Sequence, residues 1–208
     1  MQKKLFSHIM TAAIPTTLAT ILPVTLSLAS PMTVQAASGN DFRPEIVCPS
    51  GTEIQVEYLR HSMFKDREID NYTIHCFRKF HQKGALSWHK GWTLTRATGY
   101  TTEDGIRRDS NAWGTGPALM VRWERPWRGK ATVSLDGSGS ALVYNRNFPA
   151  QGRPFGFYWR LLPQIHYHAD RHNTISLGYT LMHASNGLRT RNPGHNGIGF
   201  VLGWRQDL

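Results

Sequence analysis

From about residue 53 onward the chain alternates between apolar and polar positions. Between 155 and 168, Phe155, Phe157, Trp159, Leu161, Pro163, Ile165 and Tyr167 hold one parity, and Gly156, Tyr158, Arg160, Leu162, Gln164, His166 and His168 hold the other. Successive side chains of a strand point to opposite faces, so this stretch has one greasy face with aromatics at its ends and one polar face. The pattern recurs. Ile175, Leu177, Tyr179 and Leu181 oppose Ser176, Gly178, Thr180 and Met182; Leu119, Val121 and Trp123 oppose Ala118, Arg122 and Glu124; Ile198, Phe200, Leu202 and Trp204 oppose Gly197, Gly199, Val201 and Gly203. Helix-period stretches are absent, and Gly and Pro punctuate the chain. Eight runs result, at about 53–62, 71–82, 87–102, 114–125, 129–144, 155–169, 173–186 and 196–205, and eight antiparallel strands predict a closed barrel.

The greasy face decides which kind of barrel. A soluble barrel keeps its large apolar residues inside, whereas a membrane barrel turns them outward between aromatic girdles and keeps a polar lumen. Here the inward candidates are Arg122, Glu124, Asp136, Arg160, Gln164 and His166, which suit a narrow lumen crossed by hydrogen bonds and ion pairs. The runs are long enough to cross a bilayer at a tilt, and closure pairs every backbone polar group in lipid. The expectation is therefore all-β: an eight-stranded antiparallel transmembrane β-barrel of the bacterial outer membrane, crossing it many times. Trp88, Trp92, Trp113, Trp123, Trp127, Trp159 and Trp204 read as membrane-interface belts.

Composition adds a leader and a charge. Residues 1–36 begin with Lys3 and Lys4, continue through an apolar stretch and end at Val34-Gln35-Ala36, as a secretory signal does; a retained membrane helix is the rival reading. Residues 37–208 then form the single barrel domain. Cleavage would lower the formal charge from +10 to +8, because the leader holds two lysines and no acid. The remaining positive charge implies an anionic partner. Export and the scattering of arginines through turns favour phosphorylated lipid over nucleic acid. Cys48 and Cys76 could form a disulfide after export, which the sequence leaves open. Ten histidines lack zinc-type spacing, so neither a metal nor another cofactor is expected; His166 and His168 share the lumen face and read as hydrogen-bonding groups.

One stretch carries candidate chemistry. His183 and Ser185 continue the parity of Ile175 to Leu181, so both point out of the barrel, and Asn196 has the outward parity of Ile198 and Phe200. A nucleophilic serine needs a base within reach and a third group to fix the base's tautomer. His183, Ser185 and Asn196 supply these three types on one face. Polar groups in an apolar band cost free energy and point to function.

The segment His183-Ala184-Ser185-Asn186-Gly187-Leu188, then Asn192-Pro193-Gly194 and a glycine-rich apolar strand, resembles the C-terminal signature of the PagL-type lipid A 3-O-deacylases, eight-stranded outer-membrane barrels with the active site on the outer surface. The resemblance implies Ser185 as nucleophile, His183 as general base and Asn192 as a contributor to the oxyanion hole, with backbone amides near Asn186 and Gly187. The family's third member is a glutamate, and its place here falls on Asn196. That departure resembles the Ser-His-Asn set of the outer-membrane phospholipases A, which are larger and require calcium. Arg189 and Arg191 could hold lipid A phosphates as charge-assisted pairs. The implied activity is hydrolysis of the 3-O-linked acyl chain of lipid A in lipopolysaccharide. The alternatives are a phospholipase A-like acyl hydrolase and a non-enzymatic structural or adhesive barrel; association into a homodimer is left open.

Overall fold

The structure, a computed structural model, describes residues 51–186 and 193–206. The strands are β1 (Thr52–Ser62), β2 (Arg67–Lys83), β3 (Leu86–Glu103), β4 (Ile106–Asp109), β5 (Ala112–Arg128), β6 (Ala131–Phe148), β7 (Arg153–His168), β8 (Asn173–Ser185) and β9 (His195–Gln206). Each is antiparallel to its neighbours in the order β2-β1-β9-β8-β7-β6-β5-β3, and β2 pairs with β3 to close the ring. The short β4 pairs with β3 alone. Its register (Tyr100 opposite Asp109) is the one β5 keeps (Ala97 opposite Ala112), so β4 and β5 are one line of chain interrupted at Ser110-Asn111. There the Gly99 N–H donates to the side-chain oxygen of Asn111 at 2.9 Å. The ring therefore has eight staves, as the alternation predicts.

One hairpin shows how local sequence sets the register. Glu103 pairs with Ile106 across Asp104 and Gly105, whose φ angles are 52° and 74°. A two-residue turn matched to strand twist needs both central residues in the left-handed region, and Asp-Gly is a favoured pair for it.

The parity reading holds around the ring. Phe200 is 65% exposed while Val201 is fully buried, and the same contrast separates Trp159 from Tyr158 and Leu177 from Ser176. Trp123, Trp127, Tyr167 and Trp204 mark the outer wall near one end, Trp113, Phe155 and Trp159 near the other, with Leu119, Leu161, Leu177 and Leu202 between. Such a wall suits lipid and not water.

The lumen is filled in layers. Near the chain ends, the Arg122 guanidinium donates to both Glu53 carboxylate oxygens at 2.7 Å and to Asp136 at 2.7 and 2.8 Å; Gln164 adds a bond to Asp136 at 2.6 Å. The next layer joins Arg160 to Glu57 (2.8 Å), Gln55 (2.9 Å) and Ser138 (2.9 Å), and Glu57 also accepts from Tyr158 at 2.5 Å. Buried charges persist only when paired and hydrogen-bonded, and each nitrogen of the Arg122 and Arg160 guanidiniums has an acceptor. The far end is mostly apolar: Leu59, Ile69, Leu142, Tyr144, Phe148 and Met182 form a plug beside the buried Asn71–His195 pair. The sequence-based polar lumen is thus correct for the layers it named, and the end beneath the candidate site is packed with hydrocarbon instead. His166 bonds to Ser134 at 2.8 Å and His168 to Thr174 at 2.9 Å, the hydrogen-bonding role expected of them.

Candidate active site

The two ends of the ring differ in their connections. At one end lie the two-residue turns 84–85 and 129–130, the turn 169–172, and both ends of the barrel chain, where the Gly51 N–H donates to the Gln206 carbonyl at 3.1 Å. In the 169–172 turn, the Asn173 side chain donates to Asp170 and holds its carboxyl below the usual range. At the other end lie 63–66, 104–105, 149–152 and the nine-residue connection 186–194. The candidate residues cluster at this second end.

Strand pairing brings them together. His183 of β8 stands directly opposite Asn196 of β9, Ala184 opposite His195, and on the other side Trp159 opposite His183 and Phe157 opposite Ser185. Ala184 is buried, His183 exposed and Ser185 half-buried, so the outward parity of His183 is realised. His183 Nδ1 lies 2.7 Å from Asn196 Oδ1. An amide oxygen only accepts, so Nδ1 is the donor in this bond, and in the neutral imidazole Nε2 is the nitrogen that keeps a lone pair. Ser185 lies two residues along the same strand, a rise of about 6–7 Å.

A groove of about 350 Å³ runs along the outer wall from this pair. Met63, Trp159, Leu161, Leu181 and Ile198 line it, and His183 and Asn196 stand at its edge. Its walls are almost wholly apolar, which suits a hydrocarbon chain. A second cavity, about 500 Å³, opens at the opposite end of the lumen among Glu53, Arg78, Lys79, Glu124, Arg125 and Arg205, far from the candidate residues.

The Asn186 side chain turns inward, is buried, and donates to the Phe148 carbonyl at 2.8 Å and to the Phe155 carbonyl at 3.2 Å. It ties β8's end to β7 and to the last residue of β6, and the group expected to serve an oxyanion is the backbone amide, not this side chain. Gly187, Arg189, Arg191, Asn192 and Cys48, and the expected leader 1–36, lie outside the described residues. Among those described, no three His, Cys, Asp or Glu side chains are grouped to hold a metal ion.

Two neighbours of the site gave no sequence signal. From the β1–β2 turn, Met63 accepts a hydrogen bond at its sulfur from Asn196 Nδ2 at 3.4 Å, and at the start of β2 the Arg67 guanidinium donates to the Gly194 carbonyl. Behind the strand, His195 points into the lumen and pairs with Asn71 at 3.2 Å, its ring edge on Phe148. Neither Met63 nor Arg67 belongs to a motif; only pairing across the barrel brings them here.

Comparison with known proteins agrees with this architecture. The family described as "Lipid A 3-O-deacylase (PagL)" matches residues 71–205. Among solved structures, the outer membrane enzyme PagL is similar at 11% identity and a TM-score of 0.51, covering 73% of this chain and 97% of its own. Neisserial surface protein A is similar at the same identity and TM-score, covering 76% of this chain and 97% of its own. At that identity the likeness is one of fold: a β-barrel of the outer-membrane kind. No curated protein sequence matches the chain.

Proposed function

The chain belongs to the lipid A 3-O-deacylase (PagL) family, and we propose that it is an outer-membrane serine esterase that removes the 3-O-linked acyl chain of lipid A with Ser185, His183 and Asn196 as its triad. The observation that carries this reading is the outward hydrogen bond from His183 Nδ1 to Asn196 Oδ1, on the same strand as Ser185 and at the edge of an apolar groove.

Each residue has one task. Asn196 holds the Nδ1–H tautomer, leaving Nε2 to take the Ser185 hydroxyl proton. The Ser185 oxygen attacks the ester carbonyl and forms a tetrahedral oxyanion, which backbone amides after Ser185 and the Asn192 side chain would stabilise, each donor worth about 3 kcal/mol. Collapse breaks the bond to the sugar oxygen, which takes the proton from the His183 imidazolium. Water activated by the same imidazole then releases the fatty acid and restores Ser185. Arg189 and Arg191 are assigned to the lipid A phosphates.

The site's place on the barrel supports a lipopolysaccharide substrate. Short turns and chain ends belong on the periplasmic side of such barrels and longer connections outside, which puts His183 and Asn196 at the level of the outer leaflet. A substrate held in that leaflet reaches the outer wall sideways and its acyl chain meets the groove without leaving hydrocarbon. Residues 1–36 are assigned as the cleaved export signal.

The test is expression of the wild type and Ser185→Ala in a Gram-negative host, followed by mass spectrometry of extracted lipid A. Loss of one 3-hydroxyacyl unit with the wild type alone is expected. Unaltered lipid A in both strains would overturn the substrate assignment.

A further inference from the structure

An asparagine in the third position of a triad raises a problem that a carboxylate does not. A carboxylate presents an acceptor whichever oxygen faces the imidazole, whereas an amide has an acceptor end and a donor end of nearly the same shape. If Nδ2 faced His183, it would donate to Nδ1, force the proton onto Nε2 and abolish the base. Something must hold the amide the right way round. Asn196 Nδ2 points at Met63 Sδ, 3.4 Å away, and a thioether sulfur can only accept.

From this we infer that Met63 is a positioning residue: its sulfur fixes the amide orientation of Asn196 and thereby the His183 tautomer. The inference rests on the triad proposed above. Four further observations support this. Its φ is 70°, a left-handed conformation that a side chain with a Cβ adopts at a cost, which marks a backbone held for a purpose. The turn that carries it is clamped to the start of β9, because the Arg67 guanidinium reaches the Gly194 carbonyl while stacking on Phe64 at 5.0 Å. Ser62, next to Met63, pairs directly with Asn196 across β1 and β9. Met63 is also 79% exposed, so filling a core does not explain its place.

The experiment is a double-mutant cycle read in two ways. Met63→Leu keeps the bulk and removes the acceptor; Asn196→Asp removes the orientation problem while keeping the side chain's reach. Release of 3-hydroxy fatty acid from lipid A in detergent micelles gives kcat and KM, and ¹⁵N shifts of the His183 ring report the tautomer whatever the substrate. Met63→Leu is expected to lower kcat about fivefold with KM unchanged and to shift the ring toward Nε2–H. In the Asn196→Asp background the same substitution is expected to change neither. An equal loss in both backgrounds, or a rise in KM alone, would leave Met63 with its groove-wall role only and overturn the inference. An unchanged ring tautomer in Met63→Leu would overturn it as well. Lipid A left intact by the wild type, with the tautomer shift still seen, would overturn the substrate assignment and sustain the role of Met63.

Discussion

Replacing Asn196 by alanine isolates what the proposed third triad member contributes. The bond it removes joins two neutral groups at 2.7 Å on a partly exposed surface, and such a bond has a net worth of about 1 kcal/mol, roughly a factor of five in rate. Without it the imidazole also samples the unproductive tautomer and a wider range of ring orientations, of similar weight again. The expected fall in kcat/KM is therefore about 10- to 50-fold, well short of the loss from Ser185→Ala, because alanine does not force the wrong tautomer as a donor would. Both side chains lie on the outer wall, so the barrel's packing is untouched and folding serves as the control. Initial rates of 3-hydroxy fatty acid release from lipid A micelles measure the effect. Activity within twofold of wild type would remove Asn196 from the mechanism. A loss as deep as that of Ser185→Ala would mean that Asn196 does more than orient His183.

Other predictions address the barrel and the chemistry. Arg122→Ala leaves Glu53 and Asp136 facing each other in the lumen without a cation, which costs about 3–5 kcal/mol and is read as a lower urea midpoint for unfolding from detergent micelles; an unchanged midpoint would mean that water replaces the guanidinium. Gly199→Ala places a Cβ 1.9 Å from the Tyr58 carbonyl oxygen, while the same change at Gly137 meets nothing within 4 Å. The first is expected to abolish recovery of folded barrel and the second to stay within about 0.5 kcal/mol of wild type, with heat-modifiable gel migration as the assay. Chelation with EDTA is expected to leave lipid A deacylation unchanged, and a calcium-restored loss would favour the phospholipase A-like reading.

Much of this was legible in the chain. The parity of Phe155 to Tyr167 or Ile198 to Trp204 depends only on a period of two and on which residues lipid accepts, so strand number, closure and the outward face followed from the sequence, and with them the outward setting of His183. The apolar plug at the site's end of the lumen was not legible. Leu59, Leu142 and Met182 come from different strands, and each reads locally as an unremarkable apolar residue. Glu53 and Glu57 alternate with Ile54, Val56 and Tyr58 and could have been read as lumen groups, but that Glu53 meets Arg122 and Glu57 meets Arg160 could not.

Sequence by itself determined what each strand faces; the tertiary structure decided what each residue meets. Alternation is a local property of an extended backbone, written into every run of residues. Register is set by closure of the whole ring and by turn geometry. It brings His183 opposite Asn196, 13 residues on, and places Met63, 133 residues before Asn196, against the same amide. That encounter exists only because the sheet closes, joining β1 to β9.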